Sequence, residues 1–206
     1  MKRVRRVKME TKDKYSRMAK IFDKMEEKMP MNGIKKEAVN MLEGKILEIG
    51  IGSGACLKYY KKDSDVTGID FSIGMLDLAK KKAELLGLKN VKLLEMDIEN
   101  MSFPDNTFDS VFSSCVFCTV PNPEKGIDEV YRVLKKGGKA VFIEHMKSSN
   151  FIINIGLTFL NIFTKSILGT SLLRETEKTI RYSGFSKVTS KNIMLGDVVR
   201  LIVAEK

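Results

Sequence analysis

The run Leu47-Glu48-Ile49-Gly50-Ile51-Gly52-Ser53-Gly54 constrains the fold of this chain more than any other segment. The apolar Ile46, Leu47 and Ile49 read as a buried strand, and the glycines after them let the backbone turn sharply beneath a ligand. Farther on, Asp70 closes a second apolar run, Val66-Thr67-Gly68-Ile69. A carboxylate at that place can accept hydrogen bonds from both hydroxyls of a ribose. The spacing suits an adenosine-containing cofactor.

Two cofactors fit the glycines alone. Gly50, Gly52 and Ala55 satisfy the dinucleotide pattern, which admits a nicotinamide, while Gly54 equally gives the tighter G-x-G-x-G turn of S-adenosyl-L-methionine enzymes. Three further features favour S-adenosyl-L-methionine. Glu48 precedes the first glycine, where it would repel a pyrophosphate but not a cationic methionine moiety. Asp97 follows a third strand-like run, Val91 to Leu94, where it can accept from the adenine amino group. Arg132 to Lys139 joins a helix to a glycine turn and then to the apolar strand Ala140 to Ile143. The expected contacts are Glu48, Gly50, Gly52 and Gly54 for the methionine part, Asp70 for the ribose, Asp97 and Ile98 for adenine, and Phe71 and Met75 flanking the base.

The 206 residues are enough for one well-buried α/β domain and too few for two ordinary ones. The whole chain, 1–206, therefore reads as a single domain with a basic helical region at 1–44, a cofactor-binding core at 45–145 and a lid with closing strands at 146–206. Strands are expected at 45–49, 65–70, 91–95, 108–113 and 139–145. Between them come a short helix from Gly54 and helices at 73–86 and 123–134, with Ser72 and Asn122 as caps. This alternation means a doubly wound sheet with helices on both sides. Seven strands are expected, mostly parallel, the last pair (185–191 and 198–204) antiparallel, with another helix at 174–182. Tyr15, Met18, Phe22, Met25 and Met29 fall on one face of a helix that Pro30 and Gly33 would end.

The chain resembles class I S-adenosylmethionine-dependent methyltransferases, in the branch of ubiquinone/menaquinone-type and phosphatidylethanolamine N-methyltransferases. The resemblance rests on Ala19 to Asp23, Leu47 to Gly54, Gly68 to Ser72, Phe103-Pro104-Asp105 with Phe108-Asp109, and Arg132 to Lys139. More particular are Val116 to Pro123 and, later, Glu144-His145, which look like bacterial phosphatidylethanolamine N-methyltransferases and related thiol methyltransferases. Phe22 departs from the pattern, which often has a tyrosine there. The resemblance implies that the Ser113-Ser114 backbone holds the methionine amino group. It also implies that the carboxyl end of the fifth strand faces the acceptor, which makes Glu144 and His145 the catalytic candidates. Being adjacent on one strand, only one of the two can face the site.

Methyl transfer is a direct displacement, so the protein must align an unprotonated nucleophile and keep water out. One histidine and three scattered cysteines make no metal-ligand set. Cys115 and Cys118 form C-x-x-C at a strand end rather than at the start of a helix, so core packing is the expected fate of all three cysteines. Residues 1–30 hold eleven Lys/Arg against five Asp/Glu, an excess of six within a total of +10. Such a cluster suits an anionic membrane surface or a solvated face. At 150–165, Asn150, Asn154, Thr158, Asn161 and Lys165 form a narrow polar stripe on an otherwise apolar helix, to be buried in the core or set against lipid.

The expected function is methylation of a lipophilic small molecule, foremost phospholipid (phosphatidylethanolamine) N-methylation. A quinone C-methyltransferase or a small-thiol or arsenite methyltransferase is the alternative. A nucleic-acid methyltransferase is disfavoured because the fourth strand ends in Ser113-Ser114-Cys115 without the Pro-Pro-aromatic motif of base-methylating enzymes. A non-catalytic cofactor-binding domain is the remaining class. The start Met1 to Arg6 lacks the apolar stretch of a secretory signal and cysteines are sparse, so a cytoplasmic protein in reversible contact with a membrane is expected.

Overall fold

The structure, a computed structural model, describes residues 2–28 and 30–206, with side chains for these except 2–11, 27, 28 and 166–168. Met29 of the expected helical face thus lies outside the described residues, as do the side chains of the basic positions 2–8. Strands β1 (Lys45–Ile49), β2 (Asp65–Asp70), β3 (Val91–Glu95), β4 (Phe108–Ser114), β5 (Leu134–His145), β6 (Lys187–Met194) and β7 (Val199–Glu205) form one sheet in the order β3-β2-β1-β4-β5-β7-β6. The pairs from β3 through β5 are parallel, and β7 runs antiparallel to both β5 and β6. This is the expected seven-stranded doubly wound sheet.

Helices α1 (Lys2–Lys28), α2 (Asn32–Val39), α3 (Ile73–Leu85), α4 (Pro123–Val133), α5 (Phe151–Leu168) and α6 (Thr176–Tyr182) complete the chain. Alternation along β1 divides the interior. Leu47 and Ile49 enter one apolar layer with Ile127 and Val130 of α4 and Ile180 of α6. Ile46 enters the other, with Ala38 and Val39 of α2 and Ala79 and Ala83 of α3. The caps form as the residues dictate: the Ser72 hydroxyl accepts from Met75 N, and the Asn122 side chain accepts from Lys125 N ahead of Pro123.

Three boundaries differ from expectation. Gly33 does not end the first helix but lies inside α2, a helix whose inward positions are Lys35, Ala38 and Val39. The segment after Gly54 forms only a single 3₁₀ turn, Leu57–Tyr59. Strand β5 begins at Leu134, paired with Phe108, and a register shift between Phe108 and Ser110 absorbs the glycine turn expected to separate helix from strand.

Helix α1 lies across the carboxyl ends of β1–β3. The Ser16 and Ser72 hydroxyls are 2.9 Å apart. Asp23 accepts from the Ser53 hydroxyl at 2.6 Å and is also ion-paired with Lys82 of α3. Lys12 pairs with Glu95 at the end of β3. Tyr15 stacks on Phe22 at 4.5 Å between ring centroids and touches Phe71.

Helix α5 is not part of the core. Asn150 caps it, its side chain accepting from Ile152 N and Ile153 N, and Gly169 ends it in the left-handed conformation. None of its described side chains is buried. Among the described residues, no helix is long and apolar enough to cross a membrane.

Candidate active site

The three glycines after β1 perform three different tasks. Gly50, at φ +59°, packs so closely that a β-carbon there would stand 2.4 Å from Val116 Cγ2 in the loop after β4. A β-carbon on Gly54 would meet Leu57 Cδ1 at 2.6 Å. On Gly52, at φ +57°, the nearest atom would be Gly50 O at 3.9 Å, so this residue alone faces open space. The turn is thus packed from below by two glycines and leaves room for a ligand over the third.

Asp70 is tied to that turn. Its Oδ2 accepts from Gly52 N at 3.0 Å and its Oδ1 from Ser72 N at 2.8 Å. Burial pushes its pKa up to about 6 against these two hydrogen bonds, so it is ionised at neutral pH. Each oxygen still has acceptor capacity for a ribose hydroxyl. Phe71 meets the Tyr15 ring beside it, and Met75 is buried in the first turn of α3. Burial pushes the Tyr15 phenol up, with Cys118, Asp70 and Cys115 near enough to add to the shift. Asp97 accepts from Glu99 N at 2.9 Å in the turn after β3. The Ile98 side chain is turned toward α4, 3.6 Å from where a β-carbon on Gly126 would stand, which leaves its backbone as the part able to meet adenine.

Glu48 lies at the end of β1, two residues before Gly50. Its side chain is buried, and Tyr60 donates to its Oε2 at 2.9 Å. Burial pushes its pKa up to about 8. The carboxyl thus holds its proton more tightly than an exposed carboxylate in the ligand-free chain. Nearby, the buried Lys35 is opposed by desolvation but paired with Glu26 at 2.7 Å, which raises its pKa overall.

At the end of β5, Glu144 and His145 point to opposite faces. Glu144 is fully buried, and its Oε1 accepts from Ser113 Oγ at 2.8 Å and from Val116 N at 3.0 Å. Its Oε2 is buried without a partner, and burial pushes the carboxyl up to about 7. His145 Nε2 is also buried without a partner, and desolvation lowers its pKa, so it is neutral. The Ser114 hydroxyl and Arg174 Nε are unpartnered as well, while the other end of Arg174 donates to Val120 O at 2.8 Å. The loop from Cys115 to Val120 is thus bordered by Glu144 on one side and Arg174 on the other. Burial pushes all three thiols up, Cys115 to about 12, so none is a thiolate nucleophile at neutral pH. Among the described residues, no group of three or more His, Cys, Asp and Glu could hold a metal ion.

Residues 47–142 match the methyltransferase domain family. Over these residues the chain is similar to methyltransferase domains. It is 44% identical over 108 residues to phosphatidylethanolamine N-methyltransferase of Cereibacter sphaeroides, covering 52% of this chain and 53% of that protein. It is 31% identical over 156 residues to demethylmenaquinone methyltransferase of Lactobacillus johnsonii, covering 70% and 64%. The chain thus spans about half to two thirds of the length of these relatives. Among solved structures, a SAM-dependent methyltransferase of Thermotoga maritima superposes with a TM-score of 0.71 at 22% identity, covering 93% of this chain and 98% of that one, which shows the shared fold.

S-adenosyl-L-methionine is the cofactor expected of a methyltransferase domain, and the residues present fit it. Open space over Gly52 and the free acceptor capacity of Asp70 lie side by side at the carboxyl ends of β1 and β2, where ligands of such sheets bind. Asp23, Tyr15 and Arg174 were not singled out as site residues from the sequence. Asp23 and Tyr15 had a visible signal, being on the polar and apolar sides of one amphipathic helix, but Arg174 had none.

Proposed function

We propose that this chain is an S-adenosyl-L-methionine-dependent methyltransferase acting on a lipophilic small molecule, and that its reaction is N-methylation of phosphatidylethanolamine. The observation that carries this reading is Glu144. It offers a buried, unpartnered carboxylate oxygen at the end of β5, with a pKa pushed up to about 7. A primary amine is protonated at neutral pH and must lose its proton before it can attack a methyl carbon. A general base serves best when its pKa lies near the working pH, and Glu144 meets that condition. The similarity to the phosphatidylethanolamine enzyme supports the same class of acceptor.

In this reading the bound cofactor supplies an electrophilic methyl group. Asp70 would hold the ribose hydroxyls, Asp97 would accept from the adenine amino group, and the Gly50–Gly54 turn with the backbone of Ser113 and Ser114 would receive the methionine part. Glu144 Oε2 takes the proton of the acceptor amine, while Ser113 Oγ and Val116 N keep the carboxyl in place through Oε1. His145, neutral and on the other face of the strand, is the second candidate base. The rings of Tyr15, Phe22 and Phe71 keep water from the cleft under α1.

Ring-carbon methylation of a quinone precursor is the second reading. It is favoured by the demethylmenaquinone methyltransferase similarity, which covers 70% of this chain and so reaches beyond the cofactor core. An acceptor screen with methyl-labelled cofactor separates the two. Label should pass to phosphatidylethanolamine and not to a demethylmenaquinone or a small alkyl thiol. Transfer to the quinone alone would move the assignment to the second reading.

A further inference from the structure

Helix α5 turns most of its large apolar side chains away from the domain. Its asparagines face the body: Asn154 Oδ1 accepts from Ser148 N at 2.9 Å, Asn154 Nδ2 donates to Ser148 O at 2.8 Å, and Asn161 Oδ1 accepts from Leu172 N at 2.8 Å. Its large apolar side chains face outward. Phe151 and Ile152 are each 76% exposed, Phe159 and Phe163 each 66%, Leu160 53% and Ile155 45%. Monomeric soluble proteins rarely leave so continuous an apolar surface open. Asn154 and Asn161 thus stitch the helix to the segments flanking it, while Thr158 and Lys165 of the same stripe are exposed.

Charge selects what covers the outward face. From Met146 to Arg174 the chain has Lys147, Lys165 and Arg174 and not one Asp or Glu. Lys147 and Lys165 are exposed at the two ends of the helix. A second copy of the chain packed on this face would set these cations against their own equivalents. An anionic lipid surface neutralises them and accepts the aromatic and aliphatic side chains at the acyl boundary.

We infer that α5 is an in-plane docking helix for an anionic lipid bilayer, lying along the interface with Phe151, Ile152, Ile155, Phe159, Leu160 and Phe163 immersed and Lys147 and Lys165 at the headgroups. The docking deepens the lipid-acceptor reading by bringing the domain to its substrate, and it can be measured with no acceptor present. Eighteen residues lying flat extend about 27 Å at 1.5 Å per residue. An interfacial helix of this kind with few basic residues binds reversibly and is weakened by salt.

The test is flotation of the full chain with vesicles of equal parts phosphatidylcholine and phosphatidylglycerol, which contain no amine acceptor. Wild type should float with these vesicles, much less with phosphatidylcholine alone, and should be released by salt. The double variant F159N/F163N should lose vesicle partition on the order of tenfold or more. Because both side chains are exposed, the variant should keep the wild-type melting temperature and cofactor affinity, which separates lost docking from lost folding. Wild type that stays in solution with either vesicle, or a variant that floats as well as wild type, overturns the inference. So does a wild-type dimer that the variant dissociates without any vesicle binding, since the face would then belong to a second copy. Flotation without methylation of detergent-dispersed phosphatidylethanolamine would sink the acceptor reading alone, and methylation without flotation would sink the docking alone.

Discussion

Ser113 Oγ donates to Glu144 Oε1 at 2.8 Å, a bond between the ends of two neighbouring parallel strands. Together with Val116 N it leaves one carboxylate oxygen held and the other unpartnered. Glu144→Gln keeps an oxygen able to accept both bonds but removes the base. Its kcat should fall on the order of a hundredfold or more while cofactor affinity stays as in wild type. The limb of the pH–rate profile near neutrality should vanish with it. Steady-state kinetics across pH, with calorimetry of cofactor binding, decide this, and an unchanged kcat would remove Glu144 from the reaction.

Asp70 should govern cofactor affinity. Asp70→Asn exchanges a charged acceptor for a neutral one, where charged hydrogen bonds contribute about 1.5–3 kcal/mol, so binding should weaken roughly tenfold or more. Its pKa of about 6 adds a pH signature. Affinity should decline as the pH is lowered through that value, since the protonated carboxyl accepts less well. Titration calorimetry that finds wild-type affinity in the variant would contradict the ribose assignment.

Gly50 and Gly52 should respond oppositely to alanine. Both lie at positive φ, which costs an alanine about 1–2 kcal/mol. At Gly50 the new methyl group would also strike Val116 at 2.4 Å, so Gly50→Ala should lower the melting temperature sharply. At Gly52 there is space, so Gly52→Ala should fold with a modest loss yet bind the cofactor poorly. Thermal melts with and without cofactor test both. A Gly52→Ala protein stabilised by cofactor as strongly as wild type would show that the open space is not the ligand's.

Buried carboxyls make the ligand-free fold less stable as pH rises. Glu48 titrates at about 8 when folded and Glu144 at about 7, both above their ordinary value because of burial. Between the ordinary carboxylate range and these values the unfolded chain has lost protons that the folded chain keeps. Stability is therefore fullest at mildly acidic pH and falls toward pH 8, each such group contributing a slope of up to about 1.4 kcal/mol per pH unit. Glu48→Gln, which retains an acceptor for Tyr60, should flatten that slope. Urea unfolding at mildly acidic and mildly alkaline pH measures it, and equal slopes in wild type and variant would refute the assignment.

The strands and the cofactor end were legible because short apolar runs ending in Gly or Asp leave little freedom: Leu47 to Gly54 and Val66 to Asp70 lie where the sequence puts them. Helix α2 was hidden by Asn32-Gly33, a pair that reads as a turn, although Ala38 and Val39 anchor it in the core. The buried state of Glu48 could not be read from charge, because it depends on the packing around it and on the hydroxyl that Tyr60 brings to it. Asp23 on Ser53 and Arg174 on Val120 join residues far apart in the chain, and single-sequence periodicity has no access to such contacts. For α5 the sequence gives the stripe but not its direction. Only the bonds of Asn154 and Asn161 reveal which part of the helix is held to the domain.

The closure of the interior over Glu48 also changes how the molecule migrates in an electric field. The formal charge of +10 counts Glu48 and Glu144 as anions. With both carboxyls pushed up by burial, part of that negative charge is missing at neutrality, and the chain carries more than +10. Its electrophoretic mobility toward the cathode should exceed the value calculated from composition. The excess should grow as the medium is made slightly acidic, so the interior sets part of the long-range field that an anionic surface meets.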